Sequence, residues 1–173
     1  TIHRFSYWKS PESESLSGAG SELHVTENIR GDLSNFLSNY QIKTILDAPC
    51  GDFYWMYKMN LDNLKYTGGD IVEKLIIDNN NNFKTDNINW MNNLDLNYEK
   101  KIIKPYWLNR ILPTLANFPG IPLAAEAGEI LSLPTPNILI TCGRRHAGAS
   151  IALKRRSKNL TYTIHIQDPR INS

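Results

Sequence analysis

Apolar and polar residues alternate with a helical period in one long segment near the start of the chain. Between positions 21 and 43 the apolar residues recur every three or four positions, which is typical of an amphipathic helix. These residues are Leu23, Ile29, Leu33, Phe36 and Leu37. Ser21 or Thr26 is suited to cap this helix, because a side-chain oxygen there accepts from the free N–H groups of the first turn. The Ser-, Gly- and Glu-rich stretch 10–21 before it is predicted to be a loop.

Short apolar, β-branched runs alternate with further helical segments. Such runs are typical of buried strands, and they lie at 41–46, 64–70, 135–143 and 160–168, with a weaker run at 83–90. Helices are predicted at 52–64, 71–82, 107–116, 124–134 and 147–159. The alternation predicts a Rossmann-like α/β fold, a mostly parallel sheet with helices on both faces. His165 alternates with two isoleucines in the last run and is therefore interpreted as a sheet residue.

Composition and charge narrow the functional classes. The chain has 173 residues, of which 41% are apolar, enough for a core. Its formal net charge of +2 is too small to favour nucleic-acid binding. No apolar run reaches the length of a membrane span, and a cytoplasmic location is expected. Cys50 and Cys142 are predicted to be reduced thiols, without the ligand spacing of a metal site.

The first candidate site follows the strand in "KTILDAPCGDFYWM". Asp47 ends this strand and small residues follow it, so a ligand can approach the backbone, and the next helix would offer N–H groups. Asp70 closes the next strand 23 residues later, where an acid suits ribose hydroxyls. Asp86, placed at the end of the third strand or after it, is a candidate contact to an adenine ring. The alternative is a strand that merely ends in a polar turn.

Three sequence segments around these acids also resemble a known protein family. "ESLSGAGSELHVTENIR", "ILDAPCGDFYWM" and "YTGGDIVEKLIIDNN" resemble the front half of a family of class I S-adenosylmethionine-dependent methyltransferases, over about residues 7–97. The resemblance implies S-adenosylmethionine as the cofactor. It implies that its methionine end is lined by Asp47, Ala48, Cys50 and Gly51, and that Asp70 and Ile71 hold the ribose and adenine. Nothing after Asn97 resembles the strands that build an acceptor pocket, so the methyl acceptor is unknown and the methyltransferase activity of this chain alone is left open.

The second candidate site lies in "PNILITCGRRHAGASIALKRR". Arg144 and Arg145 follow a strand and precede a helix, a position suited to a phosphate or carboxylate. The alternative is a surface loop with two solvated arginines. "KPYWLNRILP", this segment and "YTIHIQDPRIN" resemble the N-terminal region of the mitochondrial-fission ELM-type family, over about residues 101–173. Members of that family look like two-domain nucleotide-sugar glycosyltransferases.

The ELM-type resemblance implies a second set of ligand-binding residues at a cleft between domains. They are Gly143, Arg144, Arg145, Gln167, Asp168, Pro169 and Arg170. We therefore predict a partial methyltransferase-like region at 1–97 and a partial ELM-type region at 98–173, in a chain that is a fusion or a fragment. The leading hypothesis is an S-adenosylmethionine-binding protein of methyltransferase type. The alternative is an ELM-type module that binds an anionic ligand, such as a nucleotide sugar, through Arg144 and Arg145. The strands near 43, 66, 138 and 163 are able to merge into one parallel sheet.

Overall fold

The computed structural model describes residues 12–92, 133–142, 147–158 and 160–166. The helix predicted at 107–116 lies outside these ranges, and so does the helix predicted at 124–134 except for its last two residues, which are not helical. In chain order the helices and strands are α1 (Glu27–Asn39), β1 (Thr44–Asp47), β2 (Lys65–Asp70), α2 (Glu73–Asn82), β3 (Ile88–Asn92), β4 (Ile138–Cys142), α3 (Ala147–Arg156) and β5 (Tyr162–Ile166). Single turns of 3-10 helix occur at Ala19–Ser21 and Met56–Lys58.

The five strands form one parallel sheet in the order β3-β2-β1-β4-β5. This confirms the predicted Rossmann-like α/β fold. It also confirms that strands from both halves of the chain merge, because β1 pairs directly with β4. β2 and β3 follow β1 on one side of the sheet, and β5 follows β4 on the other side. The strand order therefore reverses between β1 and β4. Open α/β sheets bind ligands beyond the carboxyl ends of the strands at such a reversal.

Asn137 connects β1 and β4 by hydrogen bonds at the amino ends of the two strands. The Oδ1 atom of Asn137 accepts from the backbone N–H groups of Lys43 and Thr44, at 2.8 and 3.1 Å, and from the Thr44 hydroxyl at 3.2 Å. The Asn137 N–H in turn donates to Thr44 Oγ1 at 2.8 Å. These bonds join residues more than ninety positions apart, so they help to unite the two halves in one sheet.

Each face of the sheet has its own apolar core, as the alternation of side chains along a strand requires. The cluster on one face joins strand residues to α1 and to the segment after β1. It includes Leu33, Ile45, Phe53, Met56, Tyr66, Ile138 and Ile140. The opposite cluster is smaller and includes Leu46, Ala48, Leu139 and, from α3, Leu153. Helices and loops therefore cover both faces, which leaves the strand ends as the places where polar side chains meet.

The α-helix predicted at 52–64 is wrong. Only the single turn at Met56–Lys58 forms there. Phe53 has a φ of 59°, which no right-handed helix contains, and its ring is 2% exposed. It packs against the rings of Tyr66 and Trp90, both at 5.0 Å between centroids. Burial of this aromatic side chain overrides the local helical preference, so no helix N-terminus points its N–H groups at the turn after β1.

Smaller differences concern the ends of the helices. Thr26 does precede α1, but its hydroxyl donates to the Glu22 carbonyl at 2.8 Å instead of capping the helix. The helix predicted at 71–82 forms as α2, which begins two residues later, at Glu73, and ends at Asn82 as predicted. Within the described ranges, no helix combines the length and the apolar character needed to cross a bilayer.

Candidate ligand-binding site

Two buried carboxyl groups meet at the carboxyl ends of β1 and β2. Asp47 is opposite Gly68 in the sheet register, and Asp70 lies two residues further along β2 on the same face. The two aspartates are 5% and 3% exposed. The structure therefore brings together the two acids that the sequence predicted as the core of the site. Two neighbouring buried carboxyls of like charge are rare without a function, because neither charge is well solvated.

Asp47 is held by a tyrosine from the neighbouring strand. The Tyr66 hydroxyl donates to Asp47 Oδ2 at 2.7 Å. Burial raises the pKa of Asp47 to about 7; the Tyr66 hydrogen bond opposes this rise, and the charge of Asp70 adds to it. Burial, and then the negative charge of Asp47, raises the pKa of Tyr66 well above its usual value, so its hydroxyl stays a donor. Asp47 therefore exchanges a proton near neutral pH and is suited to a cationic group, which favours the ionised form.

Asp70 joins the two turns that follow β1 and β2. Its Oδ2 atom accepts from the Gly51 N–H at 3.0 Å, and its Oδ1 atom accepts from the Val72 N–H at 2.9 Å. The Cys50 N–H also donates across to the Gly69 carbonyl, at 2.9 Å. Each carboxylate oxygen has more than one lone pair, so Asp70 retains acceptor capacity for hydroxyl groups of a ligand. The hydrogen bonds from the Gly51 and Val72 N–H groups fix the orientation of the Asp70 carboxylate.

The turn at Gly51 needs glycine for its backbone and its surroundings. Its φ is 59°, in the left-handed region, and an added Cβ would collide with the Ser17 hydroxyl oxygen. From α2, the buried Asn79 donates its amide to the Gly51 carbonyl at 2.9 Å. The turn is therefore held on both sides, by Asp70 through its N–H and by Asn79 through its carbonyl. The peptide between Ala48 and Pro49, just before it, is cis.

Cys50 is a neutral thiol in this site. Burial raises its pKa well above the usual value, and the charges of Asp47 and Asp70 raise it further. A thiolate is the nucleophilic form of cysteine. The arrangement therefore gives Cys50 no features of a covalent catalyst, and its role in lining the methionine end of a cofactor stays a prediction.

The remaining residues predicted for the first site lie at different distances from the two acids. Ala48 is buried and its N–H donates to the Ile140 carbonyl at 3.0 Å, so it links β1 to β4. Ile71 directly follows Asp70 and is 46% exposed, which leaves its side chain available to a flat apolar ring. Asp86 is exposed and precedes β3, whereas it was expected at the far end of that strand. In a parallel sheet it therefore lies at the edge opposite Asp70.

The second predicted site lies outside the described residues. Its members are Gly143, Arg144, Arg145, Gln167, Asp168, Pro169 and Arg170, and their roles stay predictions. The strands that lead to them are described. β4 ends at Cys142 and β5 at Ile166, and these two residues are paired in the register. The two predicted segments thus each follow a strand that ends at the same edge as β1 and β2.

His165 lies in β5, as its alternating pattern predicted. Its Nδ1 atom is 2.9 Å from the Thr141 hydroxyl oxygen, which is also 2.8 Å from the hydroxyl of Ser150 in α3. Partial burial lowers the pKa of His165, so the neutral imidazole predominates at neutral pH. This small polar cluster was not predicted, because it depends on the packing of α3 against two strands.

Sequence reasoning also missed two residues that shape the first site. Tyr66 carried a signal, because it alternates with Gly68 and Asp70 and so shares their face of β2. Asn79 carried none, because it is one of four consecutive asparagines in the predicted helix 71–82. Both act on residues distant in the sequence, Tyr66 on Asp47 and Asn79 on the Gly51 carbonyl.

Comparison with known families finds one match. The family described as mitochondrial fission ELM1 matches residues 87–173, which is just over half of the chain. The matched range contains β3, β4, α3 and β5. Asp47, Gly51 and Asp70 precede it. No curated protein matches the chain.

Proposed function

Because the chain belongs to the mitochondrial fission ELM1 family, we propose that it is a ligand-binding α/β protein of that family whose ligand contains a nucleoside. The support for a nucleoside comes from the parallel sheet, whose order reverses between β1 and β4. Sheets of this type bind nucleotides and related cofactors over the carboxyl ends of the strands at the reversal. The observation that carries the proposal is the pair of buried acids, Asp47 and Asp70, at that edge.

The charge of the described edge favours S-adenosylmethionine among nucleoside ligands. Two neighbouring carboxyls repel a diphosphate, whereas a sulfonium or ammonium group lowers the energy of their ionised forms. In this proposal Asp47 faces the cationic end of the cofactor, Asp70 accepts from the ribose hydroxyls, and Ile71 contacts the adenine ring. Gly51 allows the ligand to approach the backbone closely. The proposal concerns binding, and methyl transfer would require an acceptor site beyond the described residues.

A nucleotide sugar is the second candidate, because the residues that match the family, 87–173, include β4 and β5. The ligand would lie at the carboxyl ends of β4 and β5, with its phosphates on Arg144 and Arg145. Paired guanidinium groups before a helix suit phosphate oxygens. This candidate places the charge of the ligand at the opposite side of the reversal from the two acids, so the two proposals differ in the sign of the charge that is bound.

Calorimetric titration distinguishes the two candidates. S-adenosylmethionine and a panel of uridine and guanosine diphosphate sugars are titrated separately into the full chain. If the cofactor is S-adenosylmethionine, Asp70→Asn should weaken its binding about tenfold to a hundredfold, because a charged hydrogen-bond acceptor is lost. Asp86→Asn is the matched control and should bind normally, since Asp86 is exposed before β3. S-adenosylmethionine binding that survives Asp70→Asn unchanged would refute the assignment.

The second arm uses the arginines. Nucleotide-sugar binding that is lost in Arg145→Ala and retained in Lys154→Ala, an exposed basic residue of α3, would establish the second candidate. If neither class of ligand binds to the wild-type chain, the nucleoside proposal as a whole is rejected.

A further inference from the structure

A short segment before α1 is attached to the turn of the candidate site through one carboxylate. We call residues 13–18 the strap. Asp52 accepts from the Ser15 hydroxyl at 2.8 Å, the Leu16 N–H at 2.6 Å and the Ser17 hydroxyl at 2.9 Å. The Asp52 N–H donates back to the Ser17 hydroxyl oxygen at 3.0 Å. Four bonds thus converge on one residue that directly follows Gly51.

The contact between strap and turn is close-packed. Ser15 is fully buried, although it is a serine in a loop. The Ser17 hydroxyl occupies the space that a Cβ at Gly51 would need. The strap is further shaped by its own hydrogen bonds: the Ser17 N–H donates to Ser15 Oγ at 3.0 Å, and Ser13 and Ser15 also bond to each other. Because Gly51 also bonds to Asp70, the strap is two contacts away from the ligand-facing acids.

We propose that Asp52 is a positioning residue that holds the strap against the Gly51 turn and so keeps the ligand site in its binding conformation. The inference rests on the proposed nucleoside function. A loop that is ordered before binding costs less conformational entropy on binding than a loop that must be ordered by the ligand. Charged acceptors also give stronger hydrogen bonds than neutral ones, which suits a carboxylate to this task. Asp52 acts through Ser17 and Gly51 and does not itself touch the ligand.

Asp52→Asn keeps the shape of the side chain and removes its charge. One of its two terminal atoms becomes a donor and faces groups that are themselves donors, so the strap is released. We expect the dissociation constant of S-adenosylmethionine, which serves as the probe in this titration, to rise about tenfold. We also expect faster hydrogen exchange in peptides that contain Leu16, because its N–H no longer has a charged acceptor.

The matched control is Tyr54→Phe. It removes the bond from the Tyr54 hydroxyl to Glu14, at 3.0 Å, which attaches the same strap without using Asp52. This bond is exposed and should change ligand affinity less than threefold, because water replaces the lost partner in the variant. Equal effects of Tyr54→Phe and Asp52→Asn on affinity would overturn the proposal, since they would indicate a general loosening of the loop.

A second variant keeps the proposal testable if Asp52→Asn folds poorly. Ser17→Ala alone removes one partner of the same carboxylate and should weaken ligand binding more than Tyr54→Phe does; an effect no larger than that of Tyr54→Phe would contradict the proposal. Where Asp52→Asn does fold, the effects of Ser17→Ala and Asp52→Asn should not add in the double variant, because both changes act on one contact. Additive effects would contradict the proposal. Wild-type protein that binds no nucleoside ligand rejects both the function and this inference, whereas normal ligand affinity in a folded Asp52→Asn variant rejects the inference alone.

Discussion

Replacing Asp47 with asparagine should make the protein more stable above neutral pH. Asp47 is buried and its pKa is raised from 3.8 to about 7. The folded state therefore binds the proton of Asp47 more tightly than the unfolded state does. The stability that this proton provides is fully present below about pH 4 and is lost as the pH rises to about 7. Asparagine is neutral throughout and keeps an oxygen that accepts from Tyr66.

The size of the effect follows from the two pKa values. Each pKa unit is worth about 1.4 kcal/mol, so the difference corresponds to about 4 kcal/mol between low pH and pH 8. Between pH 5 and pH 8 the free energy of unfolding of the wild-type protein should fall by about 3 kcal/mol because Asp47 loses its proton. Stabilities of single domains are about 5–15 kcal/mol, so this change is large enough to measure.

The assay is urea unfolding followed by tryptophan fluorescence at pH 5, 6, 7 and 8 and constant ionic strength. Other groups titrate over the same range, and their contributions cancel when the variant is compared with wild type at each pH. The stability advantage of Asp47→Asn over wild type should grow by about 3 kcal/mol from pH 5 to pH 8. Asp62→Asn, at an exposed aspartate, should show no such growth. An advantage for Asp47→Asn that is the same at all four pH values would refute the reasoning.

Two further substitutions test the fold itself. Asn137→Ala removes the acceptor that joins β1 to β4 and should lower the free energy of unfolding, measured with urea, by about 1–3 kcal/mol. Asn60→Ala is the control, because it removes one exposed local hydrogen bond. It should change the free energy of unfolding by less than about 1 kcal/mol. Gly68→Ala places a Cβ 2.6 Å from the Trp90 ring and should cost about 1–3 kcal/mol by the same assay. Gly31→Ala, in α1 with open space around it, should instead stabilise by up to about 1 kcal/mol, and equal losses in the two glycine variants would contradict the packing argument.

The strands were predictable because their composition and their ends carry local signals. The β-branched run before Cys142 and the run before Asp47 both became strands of the parallel sheet. The positions of Asp47 and Asp70 followed from the same signals, because an acid directly after such a run must lie at the carboxyl end of a strand. Parallel pairing then places the two ends at one edge, which is a property of the fold class and needs no knowledge of contacts.

The segment after β1 was not predictable from local preference. A helix was expected there from the alternation of strands and helices, yet Phe53 turns into the core at a positive φ and ends any helix there. That outcome depends on Tyr66 and Trp90, which lie in other strands. The bond from Asn79 to Gly51 is likewise tertiary, since it requires α2 to pack beside the turn. Contacts between distant elements decide these features, and a single sequence does not contain their register.

The two edges of the sheet differ in how their polar groups affect stability, and this difference supports placing the ligand at the carboxyl edge. At the amino edge, Asn137 satisfies donors of β1, and Asn87 donates to the carbonyls of Leu61 and Leu64. These bonds stabilise the fold without any ligand. At the carboxyl edge, burial opposes the ionisation of Asp47, which lowers stability at neutral pH. Functional sites commonly retain such unfavourable groups, because their chemistry is completed by the ligand. A bound cation would offset the repulsion between Asp47 and Asp70, so ligand binding and recovery of stability would have the same electrostatic cause.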